Sequence, residues 1–522
     1  MAEENDITID RDGYEAAMES AREKSRGEDV STDLVRTLPP EMIAALEQLG
    51  GHGTDDDPKY ERSICVGNIR GVWNGKDLVD HVPTGQRVAV VLDRTTFYAE
   101  QGGQVGDTGR LITEAEGDTP GNAIFTVENT TRSGQWVLHI GHIKSGELRI
   151  GDAVDTRVDS TRHSSIESNH TATHLLNNAL RGVLGEHCDQ RGSLVAADRL
   201  RFDYAAHDSP TTEQLVSIEN AVRADIDAGL AVDAAELALD VAQTINGVRA
   251  IFGERYPDPV RVVCVGAAVS DLAANPQADT WCPLSTEFCG GTHTGNTGEI
   301  GDFVIMQESS LAAGIRRVMA ATGAEAAKAR QAGEVILDRL NAIASLDPAE
   351  LPDAVDLITR DIAAADLGLL HRRAAEHALT SLRDMTKKLR KAAAGESRDI
   401  AVTQAQALVD ANTGDFIIGE LAANDRDALL AGMDAIRGVN PDAACLLACT
   451  VEDAGKVIIV ARVPKPHIAS GLKAGDWVRV AAQACGGGGG GRPDAAQAGG
   501  KQPEKLPDAL AAATAYAQET LA

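Results

Sequence analysis

The segment CGGTH places the thiol of Cys289 and the imidazole of His293 four positions apart. Its two glycines let the backbone turn sharply, so both side chains can face one point. Upstream, the segment NHTATHLL carries His170 and His174 at positions i and i+4, which share one face of a helix. Imidazole nitrogen and thiolate sulfur are preferred ligands of Zn²⁺, so these four residues form a candidate site for one zinc ion per chain.

Each half of this candidate site has an ordinary alternative. The two histidines can be polar residues of a helix, and the absence of an HExxH motif argues against a zincin-type protease. Cys289 can also be a nucleophile, although the nearby imidazoles favour metal ligation. Cys282 could compete as a ligand but is predicted to be a loop thiol, whereas Cys445 and Cys449, in an apolar run, are predicted to lie in a core.

The composition is typical of a large globular protein rather than a membrane or secreted one. The chain has 522 residues, of which 43% are hydrophobic, and it contains no apolar run long enough to span a bilayer. The acidic N-terminus lacks the features of a signal peptide, and eight dispersed cysteines indicate a reducing compartment, so we expect a cytoplasmic protein with no membrane partner. The net charge of −29 normally argues against a nucleic-acid partner, although MTKKLRK (Met385–Lys391) is a basic island.

The elements that must position the candidate ligands predict an α+β multidomain protein. β-like runs such as RVAVVLD and WVLHIGHI predict a small β-barrel, which precedes a mixed α+β core that contains the zinc site. Sequence rich in Ala, Leu and Glu then predicts a hairpin of two long helices, either a spacer or a dimerisation arm. A C-terminal α/β domain follows, with strands predicted in DFIIGEL, ACLLACTV and KVIIVARV. The predicted boundaries are 1–57 for a helical linker, 58–155 for the barrel, 156–323 for the core, 324–400 for the helical region and 401–522 for the α/β domain.

Two long segments carry a resemblance to a known family. SNHTATHLLNNALRGVLGEHCDQRGSLVAADRLRFDY and EFCGGTHTGNTGEIGDFVI closely resemble the editing domain of alanyl-tRNA synthetase and of its freestanding relatives. Further segments match other motifs of that family in order along the chain, so the resemblance extends over almost the whole sequence. These segments are RDGYEAAMESAREKSR (Arg11–Arg26), VLDRTTFYAEQGGQVGDTG (Val91–Gly109), GIRRVMAATG (Gly314–Gly323) and CGGGGGGRPDAAQAGG (Cys485–Gly500).

The resemblance implies a function, namely hydrolysis of wrongly charged Ser-tRNA(Ala) and Gly-tRNA(Ala). By motif, the two histidines of the helix and the Cys/His pair would be the zinc ligands. Gln190 occupies the place of a substrate-contacting glutamine, and Thr95, Gly102 and Gly103 match a barrel motif that helps to choose between misacylated esters. The resemblance also implies a C-terminal domain of the DHH-associated type that contacts the tRNA elbow, while the acceptor end of tRNA(Ala) meets the editing core. It further implies a homodimer that forms through the helical region or the C-terminal domain.

The sequence also departs from the family pattern. Met319 stands where a glutamate is usual, Gln101 replaces a common serine, and Thr96 replaces a frequent proline. Arg316 and Arg317 can face RNA phosphates or form structural ion pairs. The run from Gly486 onwards can be a flexible linker or, with Arg492 and Lys501 beyond it, an approach to a phosphate or ribose.

No class II aminoacylation domain is recognisable in the sequence. We therefore expect ATP-dependent formation of alanyl-tRNA only if a separate or missing N-terminal domain supplies it. The chain would be either the C-terminal part of a synthetase or a freestanding trans-editing deacylase. A non-catalytic tRNA-binding and dimerisation module with a structural zinc is a third reading, and a phosphoesterase ranks last because the aspartate-rich metal motifs are absent.

Overall fold

The computed structural model describes residues 35–48, 52–61, 64–113, 123–250, 255–412, 414–451 and 455–522. The motif at Arg11–Arg26 lies outside these residues. The chain forms two compact units, one made of residues 1–339 and 360–376 and the other of residues 340–359 and 377–522. Each unit is described by itself.

The first unit contains a closed six-stranded antiparallel barrel. Its strands follow the order β1-β4-β7-β6-β5-β9, and β9 pairs back with β1. The barrel interior is filled by buried apolar side chains such as Val90, Phe125 and Val154. The outer face of β4 is buried as well, because helix α1 (Pro40–Gln48) packs Leu46 there, which explains the nearly unbroken apolar run RVAVVL. The strands of the barrel are β1 (Cys65–Trp73), β4 (Arg87–Leu92), β5 (Gly109–Thr113), β6 (Ile124–Ser133), β7 (Trp136–Ser145) and β9 (Ala153–Val158). Three short strands lie outside this ring: β2 (Leu78–Val79), β3 (His81–Val82) and β8 (Leu148–Arg149).

Helix α2 (Ser160–Leu184) follows the barrel and is the central element of the core. Asp159 caps its N-terminus by accepting a hydrogen bond from the backbone N–H of Arg162. Its apolar stripe, including Ala172 and Leu176, packs on α3 (Thr212–Asp227) and on a four-stranded sheet. That sheet has the order β10-β11-β16-β15, with strands β10 (Gln190–Val195), β11 (Leu200–Ala205), β15 (Phe303–Ala312) and β16 (Ile315–Thr322).

A second, three-stranded sheet completes the core. Its order is β12-β13-β14, and the short helices α4 (Leu239–Ala242) and α5 (Val269–Ala274) pack against it. The strands are β12 (Val232–Leu237), β13 (Val260–Val265) and β14 (Ser285–Phe288). The last of these leads directly into the CGGTH segment, so this sheet determines where the Cys/His pair lies.

A buried charge cluster joins the barrel to α2. His163 Nδ1 lies 2.9 Å from Asp107 Oδ1, and its Nε2 lies 3.3 Å from Glu167 Oε1. Burial alone lowers the pKa of His163, but the hydrogen bonds and charges of the two carboxylates outweigh burial and raise the pKa to about 9. The protonated imidazole is therefore a structural link between the barrel loop and the first turns of the helix.

Three helices occupy the region for which the sequence predicts two. They are α6 (Gly323–Ile343), α7 (Leu351–Ala364) and the 42-residue α8 (Leu369–Asp410). The chain leaves the helical conformation before Pro348 and again before Gly368, because a residue that precedes proline disfavours the helical region and glycine weakens a helix.

The C-terminal part of the second unit is an α/β layer structure. Its sheet has the order β17-β18-β19-β21-β20, in which only the β17–β18 pair is parallel. The predicted strands in DFIIGEL, ACLLACTV and KVIIVARV are confirmed, and Cys445 and Cys449 are buried as expected. The elements are β17 (Phe416–Glu420), α9 (Arg426–Val439), β18 (Ala444–Val451), β19 (Lys456–Arg462), α10 (Lys465–Ala469), α11 (Ala474–Ala484), β20 (Gly488–Gly491), β21 (Ala495–Gly500) and α12 (Leu506–Leu521).

The glycine run belongs to this sheet as its edge strand. β20 pairs along its length with β21, so it is ordered strand rather than flexible linker. Glycine is required here for space: a Cβ at Gly489 would lie 2.4 Å from the Cα of Ala498. Arg492, just beyond the strand, is exposed and lies 3.4 Å from the carboxylate of Asp494.

Candidate metal centre

The four candidate ligands converge on one point in the first unit. One donor atom from each of His170, His174, Cys289 and His293 lies within 4.8 Å of every other. The Sγ of Cys289 is 3.4 Å from Nε2 of His170 and 3.4 Å from Nε2 of His293. Zinc bonds of about 2.0–2.3 Å place two ligands of one tetrahedron about 3.5 Å apart, so the two 3.4 Å separations are compatible with zinc ligation.

Two elements bring the donors together. The histidine pair lies on consecutive turns of α2, with ring centroids 5.3 Å apart. The Cys/His pair lies in the loop after β14, and the His293 ring is 4.4 Å from that of His170. Gly291 makes this approach possible, because a Cβ there would lie 2.0 Å from Cε1 of His170.

Barrel residue Gln104 sets the tautomer of His170. Its Oε1 accepts the backbone N–H of Thr292 at 3.1 Å, which identifies this atom as the carbonyl oxygen. The same Oε1 lies 2.6 Å from His170 Nδ1, so Nδ1 carries the proton and donates it. The unprotonated Nε2 then faces Cys289, as metal ligation requires.

The chemical state of the donors suits a metal ion. Burial lowers the pKa of all three imidazoles, and for His174, with Arg249 and Arg261 nearby, the pKa falls to about 3. The rings are therefore neutral around pH 7, and neutral imidazole is the form that binds metal. The Nδ1 of His174 is buried without a hydrogen-bond partner among the described residues. This nitrogen is therefore not used in a structural hydrogen bond there.

A carboxylate lies beside the centre. Glu287 Oε2 is 3.7 Å from His174 Nε2, and Glu287 Oε1 accepts a hydrogen bond of 2.9 Å from Asn177. Arg249 Nη1 is 4.0 Å from the same carboxylate. Burial raises the pKa of Glu287 to about 7, although Arg249 and Asn177 act in the opposite direction.

A cavity of about 640 Å³ opens next to the four donors. This volume is in the range of small-molecule sites. Gln190 and Gly102 line it, as do Tyr98 and Ser193, and Gln190 Nε2 donates to Ser193 Oγ at 3.1 Å. Three arginines are also in the wall, namely Arg181, Arg249 and Arg255. The sequence-predicted glutamine and three of the four candidate ligands, His170, His174 and Cys289, therefore line one cavity.

The remaining predicted barrel residues, Thr95 and Gly103, are not among the residues that line the cavity. Thr95 is fully buried, and its Oγ1 lies 2.7 Å from Nε2 of His139. Gly103 adjoins Ser193, and its carbonyl accepts the backbone N–H of Val195 at 2.7 Å. Both residues therefore belong to the barrel beside the cavity rather than to the residues that line it.

The residues with open alternatives are also located. Arg317 forms a two-pronged ion pair with Asp203 at 2.7 and 2.9 Å, and Arg316 pairs with Glu308, which matches the structural alternative. Met319 lies on β16 opposite Gln307 and does not belong to the group of four donors. Cys282 is exposed and outside the ligand group.

Sequence reasoning missed the residues that support the ligands. Gln104 lies in the QGGQ segment, next to the glycines that were singled out, and its amide was the available signal. Thr171, between the two histidines, contacts His293 Nδ1 at 3.2 Å. Tyr60 and Arg261 contact the CGGTH backbone and have no local signal, because each is remote from that loop in sequence.

Three family models match the chain. The model of class II (A) tRNA synthetases matches residues 1–162, and the second additional domain of threonyl and alanyl tRNA synthetases matches residues 260–319, which contain the Cys/His pair. The DHHA1 domain matches residues 415–519.

Curated relatives cover the whole chain. It is 35% identical to the cytoplasmic alanine–tRNA ligase of Bombyx mori over 100% of this chain and 56% of that protein. It is 36% identical to the cytoplasmic enzyme of Dictyostelium discoideum over 99% and 55%, and 40% identical to the mitochondrial enzyme of Saccharomyces cerevisiae over 66% and 34%. The chain thus spans about half the length of the first two relatives.

A solved domain is similar to part of the chain. The C-Ala domain of Aquifex aeolicus alanyl-tRNA synthetase matches 21% of this chain and 96% of its own length, at 29% identity and a TM-score of 0.18. Within the described ranges, none of the helices combines the length and apolar character needed to cross a bilayer.

Proposed function

The chain belongs to the alanyl-tRNA synthetase family, and we propose that its first unit hydrolyses the ester bond of mischarged Ser-tRNA(Ala) and Gly-tRNA(Ala) at a zinc site. The observation that carries the proposal is the convergence of three imidazoles and one thiol, of which His170, His174 and Cys289 line a cavity that Gln190 also lines. The second additional domain matched over residues 260–319 supports an editing role.

The reaction answers a physical problem. A site shaped for alanine cannot exclude glycine by size, and serine adds only one hydroxyl group. Differences in binding free energy of this size discriminate only about 10- to 200-fold. A separate hydrolytic site that destroys the wrong ester supplies the additional accuracy.

The residues of the chain supply binding and orientation. We propose that Gln190, held by Ser193, contacts the aminoacyl ester. Gly102 leaves room at the cavity wall, because nothing lies within 4 Å of a Cβ at that position. We further propose that Thr95 and Gly103 act through the shape of the barrel loop, since one is buried and the other abuts Ser193.

The ligand set fits one zinc ion, held by His170, His174, Cys289 and His293. When bound, zinc would supply a Lewis acid that either activates a water molecule or holds the amino group of the substrate. Gln104 would keep His170 in the ligating tautomer, and Glu287 lies beside the His174 ring.

We propose tRNA(Ala) as the partner and the cytoplasm as the location. The acceptor end would enter the cavity, and the C-terminal domain with its glycine edge strand would contact the elbow of the tRNA. The first two relatives are named as cytoplasmic enzymes. Dimerisation through the helical region or the C-terminal domain remains part of the proposal.

The test is single-turnover hydrolysis of Ser-tRNA(Ala) and Gly-tRNA(Ala), combined with measurement of bound zinc. We expect the wild-type chain to hydrolyse both esters well above the spontaneous rate. His174→Ala should lose zinc and activity together, whereas Gln190→Ala should lose activity and keep zinc. His142→Ala is the matched control, because His142 is half-buried on the barrel and pairs only with Glu128 among the described contacts.

Two results would contradict the proposal. Hydrolysis by the wild type at the spontaneous rate would leave the non-catalytic tRNA-binding module as the better account. Full activity in a zinc-free His174→Ala protein would refute the role of the metal.

A further inference from the structure

Two side chains from outside the CGGTH segment bind the carbonyl groups of its first three residues. Arg261 Nη1 donates to the carbonyls of Cys289 and Gly291, both at 2.8 Å. Tyr60 Oη donates to the carbonyl between them, that of Gly290, at 2.9 Å. Three consecutive carbonyls are therefore held by two side chains.

The two side chains also hold each other. The guanidinium carbon of Arg261 lies 4.1 Å from the centroid of the Tyr60 ring, which is the geometry of a cation–π contact. Tyr60 ends the short helical turn Asp57–Tyr60, just before the barrel, whereas Arg261 lies on β13 beside the loop. The contact thus joins a segment 230 residues away from Gly290 to the sheet that carries the loop.

A peptide group is planar, so fixing the direction of each carbonyl also fixes the direction of the N–H in the same group. With the Gly290 carbonyl directed at Tyr60, the N–H of Gly291, in the same peptide group, points away and lies 3.4 Å from the Sγ of Cys289. The two side chains therefore also orient a backbone donor toward the sulfur of Cys289, a candidate metal ligand. The backbone N–H of Cys289 in turn donates to the carbonyl of Arg261 at 3.1 Å.

We propose that Tyr60 and Arg261 form a carbonyl clamp, a pair of positioning residues that hold the Cys289–Gly291 backbone in the conformation that binds zinc. The inference rests on the zinc site of the proposed function. It assigns to the segment before the barrel, which lies outside the matched second additional domain, a role in the metal centre.

The test compares conservative variants in the full chain. Tyr60→Phe removes the hydroxyl donor and keeps the ring over Arg261, whereas Arg261→Lys keeps the charge and removes the forked donor. Tyr204→Phe and Arg330→Lys are matched controls in the same unit, because Tyr204 bonds to Glu308 and Arg330 to Asp302 and the Phe303 carbonyl, away from the loop.

Zinc affinity is measured by chelator competition, without substrate. We expect the zinc dissociation constant to rise about 10- to 100-fold for Arg261→Lys, as for other residues that orient metal ligands, and about 3- to 10-fold for Tyr60→Phe, which loses one hydrogen bond. In the cobalt-substituted protein, the thiolate-to-cobalt absorption band should weaken or shift in both variants. The two controls should match the wild type in both measurements.

Hydrogen exchange of the zinc-free protein supplies a second readout. Amides 289–293 should exchange faster in the clamp variants than in the wild type, with unchanged exchange in α2. Wild-type zinc affinity, cobalt spectrum and loop exchange in the folded variants would overturn the clamp while leaving the zinc site intact. Failure of the wild type to bind zinc would instead overturn the site and the clamp with it.

Discussion

Replacing Gln104 by methionine should damage the metal centre from outside the ligand set. Gln104 is fully buried and makes contacts of 2.6 Å to His170 Nδ1, 3.1 Å to the backbone N–H of Thr292 and 2.9 Å to the Thr292 hydroxyl. Methionine has a similar length and offers no amide. The His170 and Thr292 N–H groups then lose their acceptor inside a buried site, whereas the hydroxyl can rotate to another partner.

The magnitude follows from these two donors. A buried N–H without an acceptor costs about 1–3 kcal/mol, so the zinc-free protein should lose about 2–6 kcal/mol of unfolding free energy. Without its acceptor, His170 is free to place its proton on either nitrogen and to turn its ring. We therefore expect zinc affinity to fall about 10- to 100-fold.

The assay is urea unfolding of the zinc-free protein, together with zinc binding by chelator competition. Gln104→Glu is the comparator, because a carboxylate keeps both acceptor contacts and the Thr292 hydroxyl can turn to donate to it. Its zinc affinity should lie closer to the wild type than that of Gln104→Met. Equal zinc affinity and stability in Gln104→Met and the wild type would refute the tautomer argument.

Other perturbations test separate features. Gly291→Ala should lower zinc affinity at least about tenfold, because its methyl group would lie 2.0 Å from His170 Cε1. In Gly290→Ala the nearest atom to the new methyl group is 3.8 Å away, so this control should bind zinc normally. Both affinities are measured by chelator competition, and equal values would contradict the packing argument. The pKa of His163 is raised to about 9, so the stability that its charge contributes is complete below about pH 6.5 and is lost as pH rises through 9. The difference in unfolding free energy between the wild type and His163→Gln should therefore shrink by up to about 3 kcal/mol between pH 6.5 and 9.5. A difference that stays constant with pH would count against the charged pair. If the C-terminal domain binds the tRNA backbone, Arg492→Glu should weaken tRNA binding and reduce the slope of log affinity against log salt by about 1, and an unchanged titration would remove this residue from the interface.

Local sequence pattern was sufficient for most elements of the fold. Apolar residues such as Ala172 and Leu176 recur with helical period in α2, and the predicted helix and its histidine face follow from that period alone. The strands of the barrel and of the C-terminal sheet were recognised from β-branched runs between turn signals. Pro348 and Gly368 carried the signal for the extra helix boundary, but two short breaks in an otherwise helical composition were not enough to predict it.

Part of the candidate site could be predicted from the sequence, and part could not. The types and local spacing of the four donors are written in two short segments, because i and i+4 positions on a helix and a glycine turn are properties of neighbouring residues. The sequence by itself therefore determined which atoms could bind a metal. It did not determine that His170 and Cys289, 119 positions apart, would meet, nor that Gln104, 66 positions from His170, would set its tautomer. Those contacts, and the Tyr60–Arg261 clamp, exist only because the barrel and the three-stranded sheet both contact α2. Packing between distant segments leaves no period in the sequence.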